Sequence, residues 1–188
     1  MNRNASPRTA RLWTVLLATA LAGLTAGAAA ALGSGGVSAP SSTTGGSGTT
    51  DSTPSYVFPV KGRHTYGDGW GAGRGHQGQD IMAACGTKLV AARAGKVQVR
   101  GRHSRAGNYV VIDNKGTGQD FAYMHLKSSA IPRKGESVKT GQRIGYVGKT
   151  GNASACHLHF EIWTSPGYYQ GGKPIDPRPK LKKWDAYS

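Results

Sequence analysis

The sequence predicts a mainly β domain, built from antiparallel strands and about 120 residues long, and three observations carry that expectation. Seven short strand-like runs follow one another after residue 55: Asp80–Ala83, Leu89–Ala92, Lys96–Arg100, Tyr109–Asp113, Phe121–Leu126, Arg143–Val147 and His157–Trp163. Turn signals separate them, among them Ala94-Gly95, Asn114-Lys115-Gly116, Lys134-Gly135-Glu136, Thr140-Gly141 and Thr150-Gly151-Asn152. No stretch in the same region repeats apolar residues with the period of an amphipathic helix. Many short strands at this spacing indicate a small antiparallel β architecture.

The chain opens differently. Arg3, Arg8 and Arg11 precede an apolar run from Leu12 to Leu32, with Ala-x-Ala options such as Ala29–Ala31. A basic start, an apolar run and small residues make residues 1–32 an export signal. The run is also long enough to span a bilayer, so an uncleaved anchor is the alternative. Its second half is mostly Ala and Gly, a weak membrane anchor, which favours cleavage. Either outcome puts the remainder outside the cytoplasm. Residues 33–55 are rich in Gly, Ser and Thr, with almost nothing to bury, and read as a disordered spacer.

The formal charge is +15. Setting aside Arg3, Arg8 and Arg11 from the 24 basic residues leaves 21 against 9 acidic ones, an excess of 12. Such an excess ordinarily suggests nucleic acid. Export argues against that partner and for anionic wall polymers or a membrane surface, with bare solubility as the plain alternative. Cys85 and Cys156 fit one disulfide in an oxidising compartment. Two free thiols, or a metal ligand in the Cys156-x-x-His159 spacing, are the competing readings.

Residues 56–175 form the folded domain in this reading, entered through Tyr56-Val57-Phe58-Pro59-Val60. Residues 176–188, with their prolines and Lys180, Lys182 and Lys183, read as an irregular basic tail.

The chemistry concentrates in histidines. Read with the two-residue period of a strand, His157, His159, Glu161 and Trp163 share one face, and Leu158, Phe160 and Ile162 the other. Two imidazoles one strand repeat apart suit a metal, or a metal with a proton shuttle. In Gly75-His76-Gln77-Gly78-Gln79-Asp80, a straight strand would hold His76 and Asp80 roughly 13 Å apart. The two glycines argue instead for a bent loop that curls both around one ion. In Tyr123-Met124-His125-Leu126, alternation puts Tyr123 and His125 on one face and Ala122, Met124 and Leu126 on the other. A catalytic zinc needs three protein ligands and an open position. His76, Asp80 and one of the two strand histidines would supply them. The remaining strand histidine and His125 would then stand near a water, to take its proton or to stabilise oxyanion charge.

In this order, the His76–Asp80, Tyr123–Leu126 and His157–Glu161 motifs resemble those of the lysostaphin-type (LytM-like) zinc metalloendopeptidases of bacterial cell walls. Gly86-Thr87, Ala92 through Val97, Asn108 through Ile112, Gly141–Gly145 and Thr150-Gly151 match the framework of the same family, so the resemblance covers roughly Phe58 to Thr164. It implies a small two-sheet or barrel-like fold with a groove (a duplicated hybrid motif), one Zn2+ held by His76, Asp80 and His159, and His125 with His157 as the catalytic pair. It further implies a monomeric hydrolase acting on peptide bonds of peptidoglycan stems or cross-bridges, in the wall or on the outer face of the membrane. A non-catalytic relative would have lost ligands, and all five positions are filled here. Ala153-Ser154-Ala155-Cys156 departs from the usual approach to the His-x-His strand, and a Cys85–Cys156 disulfide would join the strands that bring Asp80 and His159. His64 and His103 match no motif and are assigned to loops or the surface. Glu161 is open between a partner of the metal ligands and a solvated edge carboxylate, as Trp163, Tyr66 and Trp70 are between groove and core.

Overall fold

The computed structural model of the chain describes residues 55–186, Lys115 excepted. The export signal expected over 1–32, residues 33–54 of the spacer and the last two residues of the tail lie outside them. Each of the seven strand-like runs becomes a strand, with ends shifted by a few residues at most. In chain order the elements are β1 (Val60–Lys61), β2 (His64–Tyr66), α1 (Ala72–Gly75), β3 (Gln79–Ala83), β4 (Lys88–Val90), β5 (Gly95–His103), β6 (Gly107–Asn114), β7 (Gln119–Leu126), β8 (Ser137–Val138), β9 (Arg143–Tyr146), β10 (His157–Trp163), β11 (Pro174–Ile175) and α2 (Arg178–Asp185).

Two antiparallel sheets result. The larger runs β2-β3-β10-β7-β6-β5-β8, with β11 added on β10, and the smaller runs β1-β4-β9. Neither closes into a barrel, so of the expected architectures the two-sheet one holds. The alternation read in β10 is what places the core. Leu158, Phe160 and Ile162 have no exposed surface and pack with Phe58, Ile81, Leu89, Tyr123, Ile144 and Val147 between the sheets. The opposite face of the large sheet carries Ala122, Met124 and Val111 as a second, smaller apolar cluster. Met124 and Ala122 are cross-strand neighbours of His159 and Glu161, because β10 pairs with β7 as His159↔Met124 and Glu161↔Ala122. A sheet with one face on the core and the other forming a floor is the platform on which the site is built.

The C-terminal segment differs from the irregular tail expected of it. Residues Arg178–Asp185 are helical, and Leu181 and Trp184 are buried in the main core. Tyr56 stacks on Trp184 with ring centroids 5.0 Å apart, and Phe121 lies at 5.7 Å. Pro179 falls in the first turn, where the missing N–H costs nothing, so the prolines that read as breakers start the helix instead. His64 also departs from expectation: it sits in β2, stacks on Phe58 at 4.4 Å and meets Asp185 at 3.2 Å, tying the C-terminal helix to the first strands. His103 is exposed at the end of β5, as expected. Among the described residues no helix is long and apolar enough to cross a membrane.

Candidate metal centre

Three segments bring the histidines together. The first is the turn from α1 into β3. Helix α1 ends at Gly75, and the His76 N–H closes it by donating to the Ala72 carbonyl. The chain then bends through Gly78 into β3. A side chain at Gly78 would collide with the Phe160 carbonyl and stand 2.8 Å from His159 Nε2, so only glycine lets this turn lie against β10. The bend brings His76 Nε2 to 3.1 Å from Asp80 Oδ1, which the four-residue separation alone does not guarantee.

The second segment is the β3–β10 ladder. Its register sets His159 directly across from Asp80 and His157 across from Met82. His159 Nδ1 donates to Asp80 Oδ1 at 2.9 Å, and His157 Nε2 stands 3.7 Å from the same oxygen. One ligand atom from each of His76, Asp80 and His159 lies within 4.8 Å of the others. The Cys85–Cys156 disulfide joins the chain just after β3 to the chain just before β10, with Cα atoms 5.3 Å apart. The free-thiol and cysteine-ligand readings are thereby removed.

The third segment is the end of β7. Tyr123 points into the core, where its hydroxyl oxygen accepts from the Ala92 N–H at 2.9 Å. Simple alternation would send His125 the same way, as the sequence suggested. His125 instead has φ 61, a left-handed backbone, and this rotates its ring to the opposite side of the sheet. There it lies 4.7 Å from the His157 ring and 6.0 Å from that of His159. The face shared by Tyr123 and His125 in the sequence reading is therefore not shared, and Leu126 joins Tyr123 in the core. A left-handed non-glycine residue costs roughly 1–2 kcal/mol. It is held by two hydrogen bonds, His125 N–H to the Ala106 carbonyl at 2.9 Å and Nδ1–H to the Thr150 carbonyl at 2.8 Å.

These partners assign the protons. A carbonyl only accepts, so Nδ1 of His125 carries hydrogen and Nε2 keeps its lone pair. Nδ1 of His157 is likewise held by a carbonyl, donating to that of Ala155 at 3.0 Å. Burial pulls His125 down to about 4 despite the Thr150 carbonyl, which favours the charged ring, so it is neutral near pH 7. His159 behaves oppositely. Burial opposes its charge, but hydrogen bonds to Asp80 and Glu161 outweigh burial and push it up to about 9 in the metal-free chain. Asp80 is half-buried, which favours the protonated form, yet its bond to His159 and the neighbouring imidazoles hold the carboxyl below its usual value.

Glu161 resolves in favour of a hydrogen-bond partner of His159. It is 5% exposed, accepts from His159 Nε2 at 2.9 Å through one oxygen and from Trp163 Nε1 at 2.7 Å through the other. His76 Nδ1 is likewise fixed, donating to the Gly69 carbonyl at 2.9 Å. The donor set fits a metal: two imidazole nitrogens and a carboxylate oxygen converge, and the far nitrogen of each ring is oriented by an acceptor, as ligating histidines require. Of the aromatics, Trp163 is buried under Tyr168 and Tyr169, Tyr66 packs against the core, and Trp70 is 41% exposed. The sequence reading missed Asp120 and the Tyr168-Tyr169 pair; two adjacent tyrosines after Pro166-Gly167 were their one visible signal.

Residues 40% identical over an 87-residue stretch are found in the peptidoglycan DD-endopeptidase ShyA of Vibrio cholerae, covering 46% of this chain and 20% of that protein. The glycyl-glycine endopeptidase ALE-1 of Staphylococcus capitis is 34% identical over 112 residues, 58% of this chain and 30% of ALE-1. This chain spans about a fifth of the length of the first curated relatives it matches. Among solved structures, the catalytic domain of the antimicrobial peptidase lysostaphin from Staphylococcus simulans superposes with a TM-score of 0.58 at 32% identity, over 63% of this chain and 92% of that one. A zinc-containing peptidase from Vibrio cholerae gives a TM-score of 0.57 at 30% identity, over 65% and 39%. The model of Peptidase family M23 matches residues 74–177, a span that runs from His76 past β11 and contains every histidine of the site, and the chain belongs to that family.

Proposed function

We propose that this protein is an exported zinc metalloendopeptidase that hydrolyses peptide bonds in peptidoglycan stems or cross-bridges. The observation that carries the reading is the convergence of His76, Asp80 and His159 beside two further imidazoles, His125 and His157, each with its Nδ1 tied to a backbone carbonyl. Peptidoglycan as substrate comes from the relatives, whose names state endopeptidase action on it or on a glycyl-glycine bond.

His76, Asp80 and His159 would hold the zinc. Bound there, zinc supplies Lewis acidity, which lowers the pKa of water toward 7 and polarises a carbonyl. The protein's own part is proton management. Nε2 of His125, neutral and backed by the Thr150 carbonyl, takes a proton from the attacking water. His157, 4.7 Å away ring to ring, faces the same side of the site, and its Nε2, when it carries a proton, donates to the carbonyl oxygen and stabilises the charge growing there. Glu161 keeps the His159 ring oriented toward Asp80 by holding its Nε2 proton. Segment 1–32 directs export, and the excess of basic residues holds the enzyme on an anionic wall.

The test is digestion of purified peptidoglycan by the zinc-loaded chain, with mass analysis of released peptides. Peptides cut at a single bond type are expected. A folded, zinc-loaded protein that released nothing from walls of varied cross-link chemistry would refute the reading.

A further inference from the structure

The loop between β10 and β11 carries a feature that peptide hydrolysis leaves unused. Tyr169 is 72% exposed and has φ 50, a left-handed backbone in a bulky aromatic residue. Such strain persists only where the surroundings enforce it, and it gathers at ligand sites. The enforcement is visible. Asp120, 3% exposed, accepts a hydrogen bond from the Tyr168 N–H at 2.8 Å, one residue before the strained position. Gly167 has φ 121, and a side chain there would run into the Asp120 carboxylate. A buried carboxylate is thus committed to fixing the loop.

What the loop displays is a layered aromatic surface. Tyr169 packs on Trp163 with centroids 4.8 Å apart and on Tyr168 at 4.7 Å, and Trp163 meets Tyr168 at 5.0 Å. Trp163 is only 4% exposed and its N–H is taken by Glu161, so the indole is a backing and Tyr169 is the ring offered to solvent. A rigid aromatic ring displayed in this way suits a flat, neutral, partly apolar partner.

The position narrows the partner. Trp163 lies on the strand face of His159, four residues further along β10, which is about 13 Å. Taking the peptidase reading as given, an extended peptide lying over the metal centre would reach this surface about four residues from the bond that is cut. In peptidoglycan a peptide stem of that length ends on the glycan strand. We propose that Tyr169, backed by Trp163 and Tyr168, is a stacking platform for an N-acetylated pyranose ring of the glycan that carries the cleaved peptide. The C–H face of such a ring is apolar and packs on an aromatic face, while its hydroxyls and acetamido group stay in water.

The experiment has two arms. In the first, the full chain is titrated calorimetrically with a soluble β-1,4-linked N-acetylglucosamine tetramer, which needs no catalysis. Saturable binding is expected in the wild type, weakened by about tenfold in Tyr169→Ala and retained in Tyr169→Trp. Asp120→Ala, which frees the loop and leaves all three platform residues unchanged, should also weaken it. In the second arm, hydrolysis of cross-linked muropeptides is compared with hydrolysis of the same peptides stripped of sugar. Tyr169→Ala should raise KM for the sugar-bearing substrate by a similar factor and leave kcat and the sugar-free reaction unchanged. Absence of tetramer binding by the wild type, or equal losses on both substrates, would overturn the proposal; the second result would mean that the platform touches peptide. A chain that bound the tetramer and cleaved nothing would instead refute the peptidase reading and leave the platform standing.

Discussion

Replacing both Cys85 and Cys156 by alanine separates stability from site assembly. The disulfide joins positions 71 residues apart. In the chain-entropy model, closing a loop of that size removes about 15 cal/mol/K from the unfolded state, or about 4 kcal/mol at 25 °C. For a domain of this size that corresponds to a fall in melting temperature of roughly 12–20 °C. The bridge lies just outside the β3–β10 ladder, however, and four cross-strand pairs, from His157↔Met82 to Phe160↔Gln79, keep Asp80 opposite His159 without it. The double variant should therefore unfold at lower urea, with a larger m-value because its unfolded chain is more expanded. At 25 °C, still folded, it should hold zinc as the parent does, measured by competition with a chromophoric chelator. A stability loss under about 1 kcal/mol would show that the entropy argument fails here. Zinc lost from a variant that is still folded would show that the bridge, and not the ladder, positions the ligands.

Four further outcomes are expected. His159→Ala should lose zinc, whereas His125→Ala should keep it and lose turnover by about 10²–10⁴-fold; metal analysis beside a hydrolysis assay distinguishes them, and two active variants would sink the role assignment. Glu161→Gln should weaken zinc binding by about 10–100-fold with little change in melting temperature, since it removes the charge that orients His159, and unchanged affinity would contradict this. Trp184→Ala should cost about 3–5 kcal/mol in urea denaturation, because the ring is buried against Phe121 and Tyr56; a cost near zero would mean that the helix is undocked in solution. In the metal-free protein, His125 takes a proton near 4 when folded and near 6.5 when unfolded, so the unfolded chain binds more protons between those values and stability falls as pH drops through them. The urea midpoint of His125→Asn should accordingly lose less than the parent between pH 7 and pH 5, and parallel losses would refute it.

Much of the fold and of the site was legible in the sequence because both depend on short-range spacing. Strand alternation in His157–Trp163 declares a core face and a chemical face, and the pleat enforces it whatever the surroundings. The glycines around His76 announce a bend, and the histidine and carboxylate types restrict the chemistry to metal and proton work. What stayed hidden depends on residues far apart. Glu161 becomes a partner of His159 only because burial closes the strand on both faces. Asp120 holds Tyr168 across 48 positions of sequence.

The sequence by itself predicted an antiparallel β domain and brought forward five candidate site residues, since residue type and spacing suffice to single these out. The tertiary structure decided the rest. It turned His125 across the sheet through a left-handed backbone that alternation cannot anticipate. It made the basic C-terminal segment a helix, because Leu181 and Trp184, two apolar residues among lysines, found the core that Phe121 and Phe160 form elsewhere in the chain. Local periodicity carries no record of the partner that waits on a distant strand, and packing against that partner is where these choices are made.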